Sequence, residues 1–261
     1  MLFRTVYGPE LEAIHRYVAD CNAKGVQPDS EDIQSTFIAR QSDGSLPSTQ
    51  SVDDALAFLE SARMLEGRDG YRVSTLADEG PFAVQLLRKM RCLEKGEAAP
   101  DHPVDPLYTL LLIELFIEPD KLFVENLHAA ANQLRSVEEV GGLSKEKIGA
   151  WKRVTAFLGV GRRLPGGFQC VYGPSLVEAI VAQWGRREGA LQSFLEDRFS
   201  RFLPYVRADG GLARAVRAPL LHLLERQDVD LFPLQDSPTR SYFGRRRYKG
   251  IAWKGNNDGN H

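Results

Sequence analysis

Metal binding and nucleophilic catalysis both need reactive side chains at fixed spacing, and the histidines of this chain supply neither. His15, His102, His128, His222 and His261 form no HxxxH or HExxH pair, so no zinc motif is present. Cys21, Cys92 and Cys170 are odd in number, far apart and never in a CxxC pair. That argues against a disulfide framework and a cysteine zinc site, and a reducing compartment is expected. Asp101, His102 and Asp105 surround one imidazole, but in a proline-bearing stretch that reads as a solvated loop. Gly159-Val160-Gly161-Arg162-Arg163 has the glycines of a phosphate loop without its G-K-[ST] ending. It follows a helical pattern, so a helix C-cap leading into a hairpin is expected. No GxSxG elbow exists, and Glu138-Glu139 and Glu196-Asp197 are sequence neighbours, which do not face each other on a helix. The pattern predicts no catalytic set, no metal and no cofactor.

The remaining groups with chemistry to offer are cations. Between Ser144 and Arg163, Lys145, Lys147, Lys152, Arg153, Arg162 and Arg163 stand against Glu146 alone, a balance of +5. Between Ser51 and Arg72, Asp53, Asp54, Glu60, Glu66 and Asp69 outnumber Arg63, Arg68 and Arg72, a balance of −2. Farther on, Arg240, Arg245, Arg246, Arg247, Lys249 and Lys254 occur with no acid among them, and Tyr242, Phe243, Tyr248 and Trp253 are interleaved. Cations mixed with aromatics suit phosphate contact and base stacking. They equally suit a strand pair whose aromatics face the core and whose arginines face water. The net charge of the whole chain is −2, so contact with nucleic acid must be local.

Apolar spacing shows what must position these groups. Leu11, Ile14, Val18 and Cys21 predict a helix over Pro9–Lys24. A second follows Asp29 or Ser30, and a third, capped by Ser51, carries Val52, Ala55, Leu56, Phe58 and Leu59. Asp69-Gly70 between short apolar pieces predicts a hairpin. Helices are also expected over Phe82–Leu93, Leu107–Ile117, Leu122–Leu134 and Ser144–Phe157, before the turn at Leu164–Val171. Farther along, Ser175–Trp184, Leu191–Tyr205 and Gly211–Gln227 read as helices, with strands at Val229–Leu234 and Ser241–Phe243.

Ser51–Glu66 lies over Ser144–Gly159 with Ser on Ser, Asp53 on Glu146, Phe58 on Trp151 and Leu65 on Leu158. A glycine-containing turn and an aromatic, Tyr71 or Phe168, follow in both. Three helices and then a hairpin resemble tandem winged-helix proteins. The likeness rests on Ser51–Ser74 and, more weakly, on the two helices before it. It implies a mainly α fold with small β-hairpin wings. Residues 1–78 would form one unit, 79–173 a second and 174–254 a third helical unit with a basic hairpin, with 255–261 as a tail.

A winged helix on duplex DNA sets its third helix in the major groove and its wing on the backbone, where lysine and arginine suit phosphate. The resemblance therefore implies DNA contact by the second unit and the basic C-terminal run. The acidic first unit would pack on a protein partner or a second copy. It also implies a non-enzymatic accessory protein of a prokaryotic regulatory, chromosome-handling or antiphage-defence system. The alternative is an adaptor clamping a larger ATPase or nuclease complex without touching DNA. No apolar run approaches the ~20 residues of a membrane span, and the first fifteen residues lack a signal-peptide core. A cytoplasmic location is expected.

Overall fold

In the computed structural model, residues 1–39, 47–67, 69–74, 80–186, 188–233, 242–243 and 248–254 are described. The chain is mainly helical with small antiparallel sheets. The first group holds α1 (Gly8–Ala23), α2 (Ser30–Phe37), α3 (Gln50–Ser61), β1 (Leu65–Glu66) and β2 (Arg72–Val73). Leu11, Ile14 and Val18 of α1 are buried, as their spacing predicts. Asp29 caps α2 with a reciprocal pair: its carboxylate accepts from the Asp32 N–H (2.9 Å), and the Asp32 carboxylate accepts from its own (3.2 Å). The expected cap at Ser51 is not used. Helix α3 begins two residues earlier, after Thr49, whose hydroxyl instead donates to the Asp53 carboxylate (2.8 Å). The predicted hairpin is present, with Leu65 opposite Val73.

The second group holds α4 (Phe82–Glu94), α5 (Leu107–Leu112) running into a π-helical turn (Ile113–Ile117), β3 (Phe123–Val124), α6 (Leu127–Ala131), α7 (Arg135–Glu138), α8 (Lys145–Phe157), β4 (Arg162–Leu164) and β5 (Gly167–Gln169). The helix expected over Leu122–Leu134 is interrupted. Phe123 and Val124 pair with β5, and Asn126 starts α6 by accepting from the Ala129 N–H (3.1 Å). A two-residue strand is too short to leave a period in the sequence. Its sheet runs in the order β3–β5–β4.

The third group repeats that plan. It holds α9 (Pro174–Ala182), β6 (Glu188–Ala190), α10 (Leu191–Ser193) extended by π and 3-10 turns to Arg201, α11 (Arg214–Glu225), β7 (Val229–Phe232) and β8 (Gly250–Trp253). Its sheet order, β6–β8–β7, matches the second group: the first strand pairs with the last strand, which lies in the centre. Of the strand expected at Ser241–Phe243, Ser241 lies outside the described residues, and the described partner of β7 is β8. Val229 pairs with Trp253 and Phe232 with Gly250, so the basic run occupies the connection between the two strands.

The core centres on Trp151 of α8, which is fully buried. Its indole N–H donates to the Tyr108 carbonyl (2.8 Å), and its ring stacks on Phe116 and meets Phe168 edge-on. Phe58, fully buried in the first group, reaches the same Tyr108 ring at 6.3 Å. The two aligned aromatics therefore converge on one residue. Replacing Trp151 with Ala should cost about 3–5 kcal/mol, read as a lowered urea midpoint, because a large aromatic leaves a cavity.

His15 adds a pH dependence. It is buried against Phe82, and its Nε2 has no hydrogen-bond partner. Burial, and then the nearby Lys89 ammonium, lower its pKa from 6.5 to about 4. The folded state thus holds His15 neutral where the unfolded chain binds a proton. This contribution is complete above pH 6.5 and lost as pH falls towards 4. His15→Leu should flatten the stability profile across that window, checked by denaturant titrations at pH 4.5, 5.5 and 7. A variant that keeps the full slope would show that other groups carry it.

Candidate nucleic-acid interface

Each group presents one helix directly before its hairpin: α3, α8 and α11. Their N-terminal ends differ in charge and in access. At α3, Asp53 accepts from the Gln34 side chain (2.7 Å), and Asp54 pairs with Arg4 (2.7 Å). Carboxylates at that end repel phosphate. At α11, Asp120 from the second group occupies the N-terminus. Its carboxylate accepts from the Arg214 backbone N–H (2.7 Å), the Arg214 side chain (3.1 Å) and Arg207 (3.4 Å), while its carbonyl accepts from Arg214 as well. The helix end and Arg214 are thereby already neutralised, while Arg217, one turn on, forms no side-chain hydrogen bond or ion pair among the described residues.

Helix α8 is different. Ser144 caps it as expected, its hydroxyl accepting from the Lys147 N–H (3.3 Å). Ile148, Trp151, Val154 and Thr155 face the core. Helical spacing then places Lys145, Gly149, Lys152 and Ala156 on one outward stripe, with Arg153 along its border. Among the described residues, Lys145, Lys152 and Arg153 form no side-chain hydrogen bond or ion pair. The acid of this helix, Glu146, is held low in pKa by hydrogen bonds at the helix start, its own backbone N–H first and then Ser144.

Two members of the predicted cluster point elsewhere. Lys147 falls in line with Trp151 and Val154, off the outward stripe; Lys147, Lys152 and Arg153 are all half-buried and Lys145 is exposed. Arg162 and Arg163 are neighbours on β4 and face opposite sides of the sheet. Arg163 lies opposite Phe168, whose ring packs on Trp151, so it is on the α8 side. Arg162 lies opposite Gln169, on the same outer face as the exposed Leu164 and Phe123. Lys145, Lys152 and Arg153 thus share the outward side of α8, while Arg163 is an exposed residue on the sheet face that meets that helix.

Of the C-terminal run, Arg240, Arg245, Arg246 and Arg247 lie outside the described residues. Lys249 is half-buried and continues the sheet: its N–H donates to the Phe232 carbonyl (3.0 Å), and its carbonyl accepts from Leu191 (2.7 Å). Tyr242 and Phe243 are buried, and Tyr248 packs edge-on against Phe243. These aromatics face the protein interior and are not stacking platforms. Lys254 pairs with Asp230 (2.7 Å).

The loop with Asp101 and His102 offers no metal geometry. Asp105 is buried and accepts from the Leu2 N–H (2.6 Å), while His102 is exposed. Among the described residues no three His, Cys, Asp or Glu side chains converge. Gly159, at φ +75°, ends α8 ahead of β4, as the C-cap reading predicts.

Two residues of interest carry no chemical motif. Asp120 is one, because its partners are 87 and 94 positions away. Tyr7 is the other, and a signal for it exists: Val6-Tyr7-Gly8-Pro9 recurs as Val171-Tyr172-Gly173-Pro174, and each copy opens a helix, α1 or α9.

No family model, curated protein or solved structure matches the chain. Among the described residues no helix is long and apolar enough to cross a membrane.

If Asp120 serves to cap α11 and join the second and third groups, Asp120→Ala should lower stability by about 0.5–2 kcal/mol, the cost of losing a helix cap. The measurement is a thermal melt, and a parent-like melting point would contradict that role.

Proposed function

We propose that this chain is a tandem winged-helix protein that binds duplex DNA through its second unit and acts by binding, without catalysis. The repeated order of helix, strand, further helices and two strands, with the last strand central, supports the winged-helix reading of the second and third units. The observation that carries the DNA reading is α8: among the three pre-hairpin helices it carries the most cations without an acidic partner among the described residues, Lys145, Lys152 and Arg153. Phosphate contacts by Lys145, Lys152, Arg153 and Arg163 would set the register, and Gly149 and Ala156 leave the outward face of the helix slim. A place in a prokaryotic accessory or defence complex agrees with this reading. So does a cytoplasmic location.

The acidic start of α3 favours a second reading, in which the first unit docks a protein partner or another copy. In an adaptor that clamps a larger complex, that contact would be the whole function. Salt dependence separates the two. Each phosphate contact on duplex DNA releases about 0.9 of a condensed counterion. Lys145→Glu with Lys152→Glu should weaken binding to a duplex and reduce the slope of log affinity against log salt by about 1.8. Glu31→Lys, at an exposed position on α2, should leave both unchanged. Parent-like affinity in the double variant would remove α8 from the DNA surface. No binding by the parent at low salt would favour the adaptor.

A further inference from the structure

The first group touches α8 beside its cationic face, and Tyr7 makes the contact. Gly8 lies so close to Phe157 that a Cβ there would overlap the ring. This approach sets the start of α1 against the last turns of α8. Tyr7, in extended conformation just before α1, then meets Arg153, one turn before Phe157. The Arg153 guanidinium sits over the Tyr7 ring, 5.4 Å from its centre. On the helix side it lies near Gly149, where a Cβ would come within 3.9 Å of Nη1. The fork is thereby held between an aromatic face and a bare stretch of helix.

Among the described residues no acid pairs with it. Arg153 forms no hydrogen bond or ion pair among the described residues, and its Nε is buried without an acceptor. Glu146, two turns earlier on the same side, is engaged at the helix start. A fixed guanidinium with unused donors matches the geometry of a phosphate or similar oxyanion. The repeated tetrapeptide shows that this is not a packing requirement of the motif. In the second copy Tyr172 is fully buried, with its hydroxyl donating to the Pro204 carbonyl (2.7 Å). Tyr7 is 54% exposed.

We propose that Arg153, stacked on Tyr7, is an oxyanion site that takes a phosphodiester of duplex DNA, and that Tyr7 is its positioning residue. The first unit then contributes to DNA binding through one aromatic ring despite its acidity. This inference rests on the DNA reading of α8.

The test compares Tyr7→Ala, Tyr7→Phe and Arg153→Lys in duplex affinity and salt slope, and follows the Arg153 Nε–H resonance during titration with duplex and with inorganic phosphate. Tyr7→Ala should lower affinity about two- to fivefold, the range expected of an exposed cation–π contact. It should also reduce the salt slope although no charge is removed. Tyr7→Phe keeps the ring and should match the parent, whereas Arg153→Lys, lacking the fork, should match Tyr7→Ala. The Nε–H resonance should shift with duplex in the parent and not in Tyr7→Ala. A shift with inorganic phosphate as well would show that the site takes the free anion too. Parent-like affinity and slope in Tyr7→Ala, with the Lys145/Lys152 variant weakened, would overturn this inference and leave the DNA reading intact. Absence of duplex binding by the parent would overturn both.

Discussion

The indole of Trp151 governs which face of α8 is available. Its N–H is satisfied by the Tyr108 carbonyl, and its ring is enclosed by Tyr108, Phe116 and Phe168. A buried indole without that acceptor would carry an unpaired donor, so the hydrogen bond fixes the rotation of α8 about its axis as well as its depth. Once Trp151 points inward, helical geometry sends Lys145, Gly149 and Lys152 outward. Tyr108 extends the constraint, because Phe3 and Phe58 pack on the same ring from the first group. The position of the first group and the exposure of the cations on α8 thus depend on one aromatic cluster.

The three helices that precede hairpins share a plan and differ in electrostatics. Asp53 and Asp54 are tied into local structure at α3, where Gln34, Thr49 and Arg4 hold them. Arg214 at α11 is a cation by sequence but is spent on Asp120, whose carboxylate also receives Arg207. At α8, Lys145, Lys152 and Arg153 have no acidic partner among the described residues, whereas on α11 this holds for Arg217 but not Arg214. Counting residues cannot distinguish these cases, because the partner that cancels Arg214 comes from another unit.

Legibility in the sequence followed the range of the interactions. The hairpins after α3 and α8 were readable because a capped or apolar-faced helix and a glycine turn are local signals. The burial of Phe58 and Trp151 was readable from their equivalent places in two aligned helices. Strand β3 was not, since two residues have no period and its pairing with Phe168 and Gln169 is remote. Strand β8 was displaced in the reading from Ser241–Phe243 because the connection after β7 is long and itself apolar in part. Within the cationic cluster, composition did not separate Lys147 from Lys145 or Arg162 from Arg163; helical and strand geometry did. Tyr7 escaped notice because its partner Arg153 lies in another unit, although the repeated Val-Tyr-Gly-Pro marked the place.

Lysine acetylation of the whole chain, with and without duplex DNA at low salt, addresses the central claim most directly. Bound DNA should protect Lys145 and Lys152 on α8 and leave Lys24, after α1, and Lys95, after α4, as reactive as before. Protection confined to Lys24 or Lys95, or none at Lys145 and Lys152 under conditions where the duplex is bound, would contradict the assignment of α8 as the DNA-contacting helix.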